Sequence, residues 1–216
     1  MTLTLYFHPL ASFCWKVLIA LYENDTAFRP QVVDLADPAA RAALQALWPI
    51  ARFPVLRDDA RDRTIPESSI IIEYLAQHHR GPVALIPDDP DLARETRLAD
   101  RFHDLYVHEP MQKIVGDRLR PASARDPLGV AQARAQLDVA YGMIERSMTR
   151  NRWAIGDAFT MADCAAAPAL YYADKVHPLG VGHPRAAAYL ARLKERPSFA
   201  RVLAEAAPYA HLFPSS

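Results

Sequence analysis

The sequence predicts an α/β unit followed by an all-helical region, and two observations lead to this fold class. Short apolar strands alternate with helices up to about residue 80, whereas no convincing strand pattern follows residue 91. Between these regions, residues 81–91 open with Gly-Pro and end in Pro-Asp-Asp-Pro-Asp, a composition typical of a linker. We therefore expect two domains, 1–80 and 92–216, joined by 81–91.

The N-terminal region has the order β-α-β-α-β-β-α. Its expected elements are strand 3–7, helix 13–22, strand 28–34, helix 38–47, strands 54–57 and 63–65, and helix 70–79. The first strand is apolar, the second carries the β-branched pair Val32-Val33, and the second helix is rich in Ala and Leu. The acidic turn 58–62 separates the last two strands. Ser68 is a suitable N-cap for the last helix.

Beyond residue 91, apolar residues recur at helical spacing, as Leu137, Tyr141 and Ile144 do. The expected helices are 92–120, 129–148, 161–173, 184–195 and 198–206, with 121–127 as a loop. Because proline lacks a backbone N–H, we expect Pro110 to kink or break the first of these helices.

The composition excludes several functional classes. Lys plus Arg equal Asp plus Glu, at 25 each, which gives no electrostatic reason to expect binding to nucleic acid or to an anionic membrane. The first residues lack the basic and apolar regions of a signal peptide, and no apolar run approaches the roughly 20 residues that span a bilayer. Two distant cysteines make no disulfide framework. We expect a soluble, cytoplasmic protein.

The segment between the first strand and the first helix is the most informative part of the chain. It places Ser12 and Cys14 at or just inside a helix N-terminus, where free N–H groups and the helix dipole favour negative charge. A thiolate is the charge to expect there. It belongs either to Cys14 or to a bound thiol substrate.

Four segments together resemble the cytosolic glutathione transferases. They are Ser12–Val17, which resembles the catalytic segment of bacterial serine- and cysteine-type members and is zeta- or theta-like, Phe53-Pro54-Val55-Leu56, Glu67-Ser68, and the helix-capping motif 158–163. The resemblance runs nearly end to end and implies a thioredoxin-like N-terminal domain, an all-α C-terminal domain and a homodimer. It also implies glutathione as co-substrate, no metal, and detoxification of a small electrophile.

The resemblance also implies the residues that bind glutathione. A cis Phe53–Pro54 bond would turn the Phe53 backbone towards the cysteinyl part of the tripeptide. Ser68 would hold the γ-glutamyl carboxylate at a helix N-terminus, and Glu67 its ammonium group. Arg52 would pair with the glycyl carboxylate.

Three residues compete to activate the thiol. Ser12 is our candidate hydrogen-bond donor to the thiolate, and we expect it also to cap the helix. Cys14 is the rival, through a mixed disulfide with glutathione, unless it is simply buried. Tyr6 is the third option, by resemblance to tyrosine-type members. The leading catalytic position of the family falls on Ala11, which has no side chain able to act.

The first long helix of the second domain offers an aromatic and polarisable wall for the electrophile. We expect Phe102, His103, Tyr106 and Met111 to contribute to it, with His108 on the same stretch. Thr160 and Asp163 form an S/T-x-x-D cap with a structural role. Three alternatives stay open: a glutathione-dependent isomerase, a thiol-disulfide reductase acting through Cys14, and a non-catalytic binding or scaffold protein.

Overall fold

The structure is a computed structural model that describes residues 2–214. Four strands form one mixed sheet, with the order β2-β1-β3-β4. The elements of this part are β1 (Leu3–Phe7), α1 (Ser12–Glu23), β2 (Arg29–Val32), α2 (Pro38–Leu47), β3 (Val55–Asp58), β4 (Arg63–Pro66) and α3 (Ser68–His78). β1 runs parallel to β2 and antiparallel to β3, and β3 is antiparallel to β4. The expected order of strands and helices is confirmed.

The rest of the chain is helical. Its elements are α4 (Pro90–Phe102), a π-helical segment (His103–His108), α5 (Glu109–Arg118), α6 (Pro127–Ser147), α7 (Met161–Val176), α8 (Pro184–Glu195) and α9 (Pro197–Ala206), with short 3₁₀ turns at Ala122–Ala124 and Ala207–Leu212. The helix α4 begins inside the stretch that the sequence assigns to the linker. Within residues 2–214, no helix has both the length and the apolar character needed to cross a membrane.

Helix α1 joins the sheet to the helical part. Its Trp15 is buried, with ring centroids 5.2 Å from Tyr171 and 4.8 Å from Tyr172 of α7 and 6.0 Å from Phe199 of α9. Aromatic side chains of this size contribute most of the buried apolar area per residue. One continuous core therefore fixes the start of α1 relative to both parts of the molecule.

Helix α7 begins with the expected capping box. The Thr160 backbone N–H donates to Asp163 Oδ2 at 2.9 Å, and the Asp163 backbone N–H donates to the Thr160 carbonyl. Asp163 is fully buried and also accepts hydrogen bonds from the Ala154 N–H and the Tyr189 hydroxyl. Its partners give this motif a structural role, as predicted.

Two local expectations need correction. The helix is not broken at Pro110, although it becomes irregular just before that residue. The π-helical segment before it, in which the Glu109 N–H reaches the carbonyl of Asp104, keeps the chain helical up to the proline. Ser68 is not an N-cap either, because α3 starts at Ser68 and Glu67 occupies the cap position without a side-chain cap bond.

Candidate functional site

The chain segments that carry the candidate residues meet at one edge of the sheet. In the strand register Phe7 lies beside Val32, and Val55 lies between Tyr6 and Pro66. The loop after β1, the turn before β3 and the start of α3 therefore emerge side by side. The topology alone brings together three of the four segments singled out in the sequence.

Ser12 is the first residue of α1, and the preceding Ala11 is the N-cap without a side-chain cap bond. The N–H groups of Cys14 and Trp15 both donate to the Ala11 carbonyl, so the N–H groups of Ser12 and Phe13 lie ahead of the first helical hydrogen bonds. The expected capping role of Ser12 is thus wrong. Its hydroxyl instead hydrogen-bonds to Nε2 of His108.

A cavity of about 580 Å³ opens beside Ser12 and lies within the size range of small-molecule sites. The sheet part contributes Ser12, Phe13, Arg52 and Phe53 to its wall. The helical part contributes Met111 and His108, which the sequence analysis names on the first long helix of this region. It also contributes residues that the sequence did not single out, Gln112, Val115, Tyr172 and Phe213. These four come from α5, α7 and the position that follows the C-terminal turn, and no local motif marks them.

Cys14 lies one turn inside α1 and is fully buried. Burial raises the pKa of its thiol to about 12, although the main-chain hydrogen bond with His8 lowers it slightly. A thiol that is both inaccessible and protonated cannot attack a disulfide. This contradicts the assignment of Cys14 as a catalytic residue, and with it the mixed-disulfide mechanism. Tyr6, the other alternative, packs against the small cluster of Val33, Leu44 and Val55.

The Phe53–Pro54 peptide bond is cis, as the resemblance implied. The ring of Phe53 stacks on His8, with centroids 5.9 Å apart and planes inclined by 19°. Among residues 2–214, no other residue forms a main-chain hydrogen bond with Phe53 outside the regular strands and helices. Its backbone is thus available to an extended ligand, and Arg52 beside it is exposed.

Glu67 has a left-handed backbone, with φ of 69°. Such a conformation in a non-glycine residue costs on the order of 1–3 kcal/mol and is concentrated at binding sites. The Glu67 side chain is exposed, whereas Ser68, the first residue of α3, is 5% exposed. The strain and the free helix N-terminus together present a carboxylate and N–H groups at the same edge of the sheet as Pro54.

A buried ion cluster connects α1 to the start of α3, next to the sheet edge that carries the candidate residues. Lys16 Nζ lies 2.6 Å from Asp100 Oδ1 and 2.9 Å from Asp104 Oδ2, and it donates to Ser69 Oγ at 2.8 Å. The Ser69 hydroxyl in turn donates to Asp100 Oδ2 at 2.7 Å. The cluster thereby ties α1, the first turn of α3 and the α4–π region into one rigid support for Ser68.

The residues expected to form the electrophile wall do not line one cavity. Met111 lines the cavity next to Ser12, but Phe102, His103 and Tyr106 line a separate groove of about 440 Å³ on the α4 and α6 side, together with Met143. The wider turn of the π segment changes which faces of the helix point towards α1. A constant helical period cannot predict this change.

Comparison with known proteins places the chain in a family. Residues 5–83 match the family model "Glutathione S-transferase, N-terminal domain" and residues 121–192 match "Glutathione S-transferase, C-terminal domain". The fold and the sheet-edge site agree with both matches. The chain belongs to the cytosolic glutathione transferase family.

Relatives within the family differ in what they are called. Glutathione S-transferase GstB of Escherichia coli is 26% identical over 159 residues, covering 73% of this chain and 76% of its own. A probable maleylacetoacetate isomerase of Caenorhabditis elegans is 29% identical, and the match covers 79% of this chain and 78% of the relative. A stringent starvation protein A homolog of Pasteurella multocida is 28% identical, covering 95% and 92%.

Among solved structures, a glutathione S-transferase from Methylobacterium radiotolerans in complex with glutathione sulfonate superposes with a TM-score of 0.81. It is 27% identical in sequence, and the match covers 93% of each chain.

Proposed function

We propose that this protein is an enzyme that binds glutathione as the thiolate and conjugates it to a small hydrophobic electrophile. The observation that carries the proposal is the Ser12 hydroxyl at the start of α1, which lines the same cavity as Arg52 and Phe53. The proposed hydrogen-bond donor to the thiolate and two of the proposed glutathione-binding residues therefore line one cavity.

Glutathione fits the sheet edge as an added extended segment. The cysteinyl backbone would pair with the Phe53 backbone, and the glycyl carboxylate with Arg52. The γ-glutamyl carboxylate would lie at the N-terminus of α3 near Ser68, with Glu67 facing its ammonium group. The complex of the Methylobacterium relative with glutathione sulfonate supports a glutathione-like tripeptide as the ligand.

Thiol activation needs more than the helix dipole. A free thiol with a pKa of about 8.5 is only about 3% ionised at pH 7, and lowering the pKa by ~2 requires ~2.7 kcal/mol. A helix N-terminus contributes ~0.3–1 kcal/mol, whereas a hydrogen bond to a charged group contributes ~1.5–3 kcal/mol. We assign that hydrogen bond to the Ser12 hydroxyl at the start of α1.

The electrophile would occupy the apolar side of the cavity. Phe13, Met111, Val115, Tyr172 and Phe213 give it aromatic and polarisable walls, which suit an aryl or halogenated compound. The isomerase alternative requires a site for a dicarboxylate, and Arg52 is the one Lys or Arg side chain among the lining residues of the described chain. Conjugation is therefore the better fit.

A non-catalytic binding protein is the second candidate, and two observations favour it. Ala11 occupies the leading catalytic position, and a stringent starvation protein A homolog matches along almost the whole chain. Against it stand the strained Glu67 and the accessible Phe53 backbone, which a scaffold does not need. We also propose a cytoplasmic homodimer, because members of the family usually form dimers.

The decisive experiment follows the ultraviolet thiolate absorbance of bound glutathione against pH. We expect the bound thiol to titrate about 2 pH units below free glutathione, and Ser12→Ala to remove most of that difference. Ser123→Ala, in the exposed turn at Ala122–Ala124, is the matched control and should change nothing. If glutathione binds with an unshifted thiol pKa and an aryl halide is not turned over, the result would support the non-catalytic binding protein.

A further inference from the structure

The partner of the Ser12 hydroxyl comes from the other part of the molecule. His108, the last residue of the π segment, contacts Ser12 Oγ through Nε2 and is 4% exposed. The ring of Phe13 packs on the imidazole, with centroids 4.2 Å apart. Packing therefore holds His108 in place beside the proposed thiol site.

The protonation of His108 determines the direction of this hydrogen bond. Burial, with a smaller contribution from the positive charge of Lys16, lowers the pKa of His108 to about 4, so the ring is neutral at pH 7 with one N–H. Nδ1 is buried and has no hydrogen-bond partner within residues 2–214. An unpaired buried N–H is rarer in proteins than an unpaired acceptor. The ring proton of His108 therefore belongs on Nε2, which donates a hydrogen bond to Ser12 Oγ.

We propose that His108 is a positioning residue that donates from Nε2 to Ser12 Oγ and thereby turns the Ser12 hydroxyl hydrogen towards the sulfur of bound glutathione. The inference rests on the proposed function and extends it to a residue of the helical region. A donated hydrogen bond also polarises the hydroxyl and makes it a stronger donor to a thiolate.

The opposite tautomer makes the opposite prediction. The Gln112 side-chain nitrogen lies 3.4 Å from His108 Nε2. If Nε2 carried only a lone pair, it would accept from both Gln112 and Ser12, and the Ser12 hydrogen would point away from the sulfur. Removing His108 would then release Ser12 and lower the pKa of the bound thiol.

The test uses the full-length protein with glutathione, and it measures the pKa of the bound thiol by ultraviolet difference absorbance. His108→Leu removes the donor and keeps an apolar side chain, and His108→Phe does the same with a ring. His108→Gln retains an N–H near the position of Nε2 and is the conservative rescue. Thermal unfolding of each variant separates a loss of fold from a loss of positioning.

We expect His108→Leu to raise the bound thiol pKa by about one pH unit, roughly half the effect of losing a hydrogen bond to a charged acceptor. His108→Gln should stay close to wild type. In the Ser12→Ala background His108→Leu should have no further effect, because His108 acts through Ser12.

An unchanged or lowered pKa in both His108→Leu and His108→Phe would overturn the inference, as would an equal rise in the Leu and Gln variants. If the wild-type protein binds glutathione without lowering its pKa, the proposed function itself fails. That result is distinct, since it appears before any His108 variant is made.

Discussion

Replacing Lys16 with methionine removes the positive charge from the centre of the buried ion cluster. Lys16 and Asp100 are each 1% exposed and Asp104 is 8% exposed in its side chain, so both carboxylates lose their buried partner. Arg101 still reaches Asp104 at 3.3 Å, but its side chain is 54% exposed and compensates little. Removing one member of a buried ion pair typically costs ~3–5 kcal/mol. For a chain of this length each kcal/mol lowers Tm by ~2–4 °C, so we expect a decrease of ~6–20 °C.

The control is the same substitution at the surface. Lys113 pairs with Asp126 at 3.1 Å, with side chains 49% and 38% exposed. An exposed pair contributes ~0–1 kcal/mol, so Lys113→Met should lower Tm by at most ~4 °C. The Tm of each variant is measured by thermal unfolding, monitored by far-ultraviolet circular dichroism. If Lys16→Met lowers Tm by no more than Lys113→Met does, the buried ion cluster does not stabilise the packing of the sheet part against the helical part.

The difference between Lys16→Met and wild type should also depend on pH. Burial raises the pKa of Asp104, and the charge of Lys16 opposes that rise. Without Lys16, the folded-state pKa of Asp104 rises further above its unfolded value. A raised carboxyl pKa favours folding at low pH, and this contribution is lost as the pH rises through the folded-state pKa. The Tm difference should therefore narrow as the pH falls from about 7 towards 4, and a constant difference would contradict the charge argument.

Three further predictions concern single residues. A thiol reagent should label neither Cys14 nor Cys164 in the native protein and both after denaturation, because both are buried; rapid native labelling of Cys14 would restore it as a catalytic candidate. Thr160→Ala should cost ~1 kcal/mol, measured by thermal unfolding, because it removes the hydroxyl that donates to Asp163 Oδ2 at 3.2 Å, and it should not change glutathione affinity. Glu67→Gln should weaken glutathione binding about 10- to 100-fold in calorimetry, the effect of losing one charge-assisted hydrogen bond; unchanged affinity would remove Glu67 from the site.

The sequence predicted those parts of the site that depend on local chemistry and strand order. The apolar strand Leu3–Phe7 follows from a short-range pattern, whereas the family resemblance singled out Pro54 and the pair Glu67-Ser68. The sheet topology brings all of them to one edge. Ser68 was placed one residue out, because a serine near a helix start is as typical of the first turn as of the cap. Resemblance supplied what local patterns did not, the cis bond before Pro54.

Residues contributed by distant helices could not be predicted in this way. The contact between Ser12 and His108 spans 96 positions, and no spacing rule connects them. Phe102 and Tyr106 line a groove separate from the cavity beside Ser12, because the helix widens at His103–His108, before the kink or break that was expected at Pro110. The sequence does contain the cause, since proline lacks the N–H that a regular turn requires, but it does not show whether the helix kinks, breaks or widens.

The widened turn before Pro110 connects this structural irregularity to the chemistry. A π segment adds a residue to a helical turn, and such turns are frequent at functional sites. Here the segment ends at His108, which reaches the first residue of α1, and it also contains Asp104, which reaches Lys16 of the same helix. One irregular turn thus presents the His108 imidazole, the proposed donor, to Ser12 and a carboxylate to Lys16. Restoring a regular helix by Pro110→Ala should shift both contacts together, so that Tm and the pKa of bound glutathione change in the same variant.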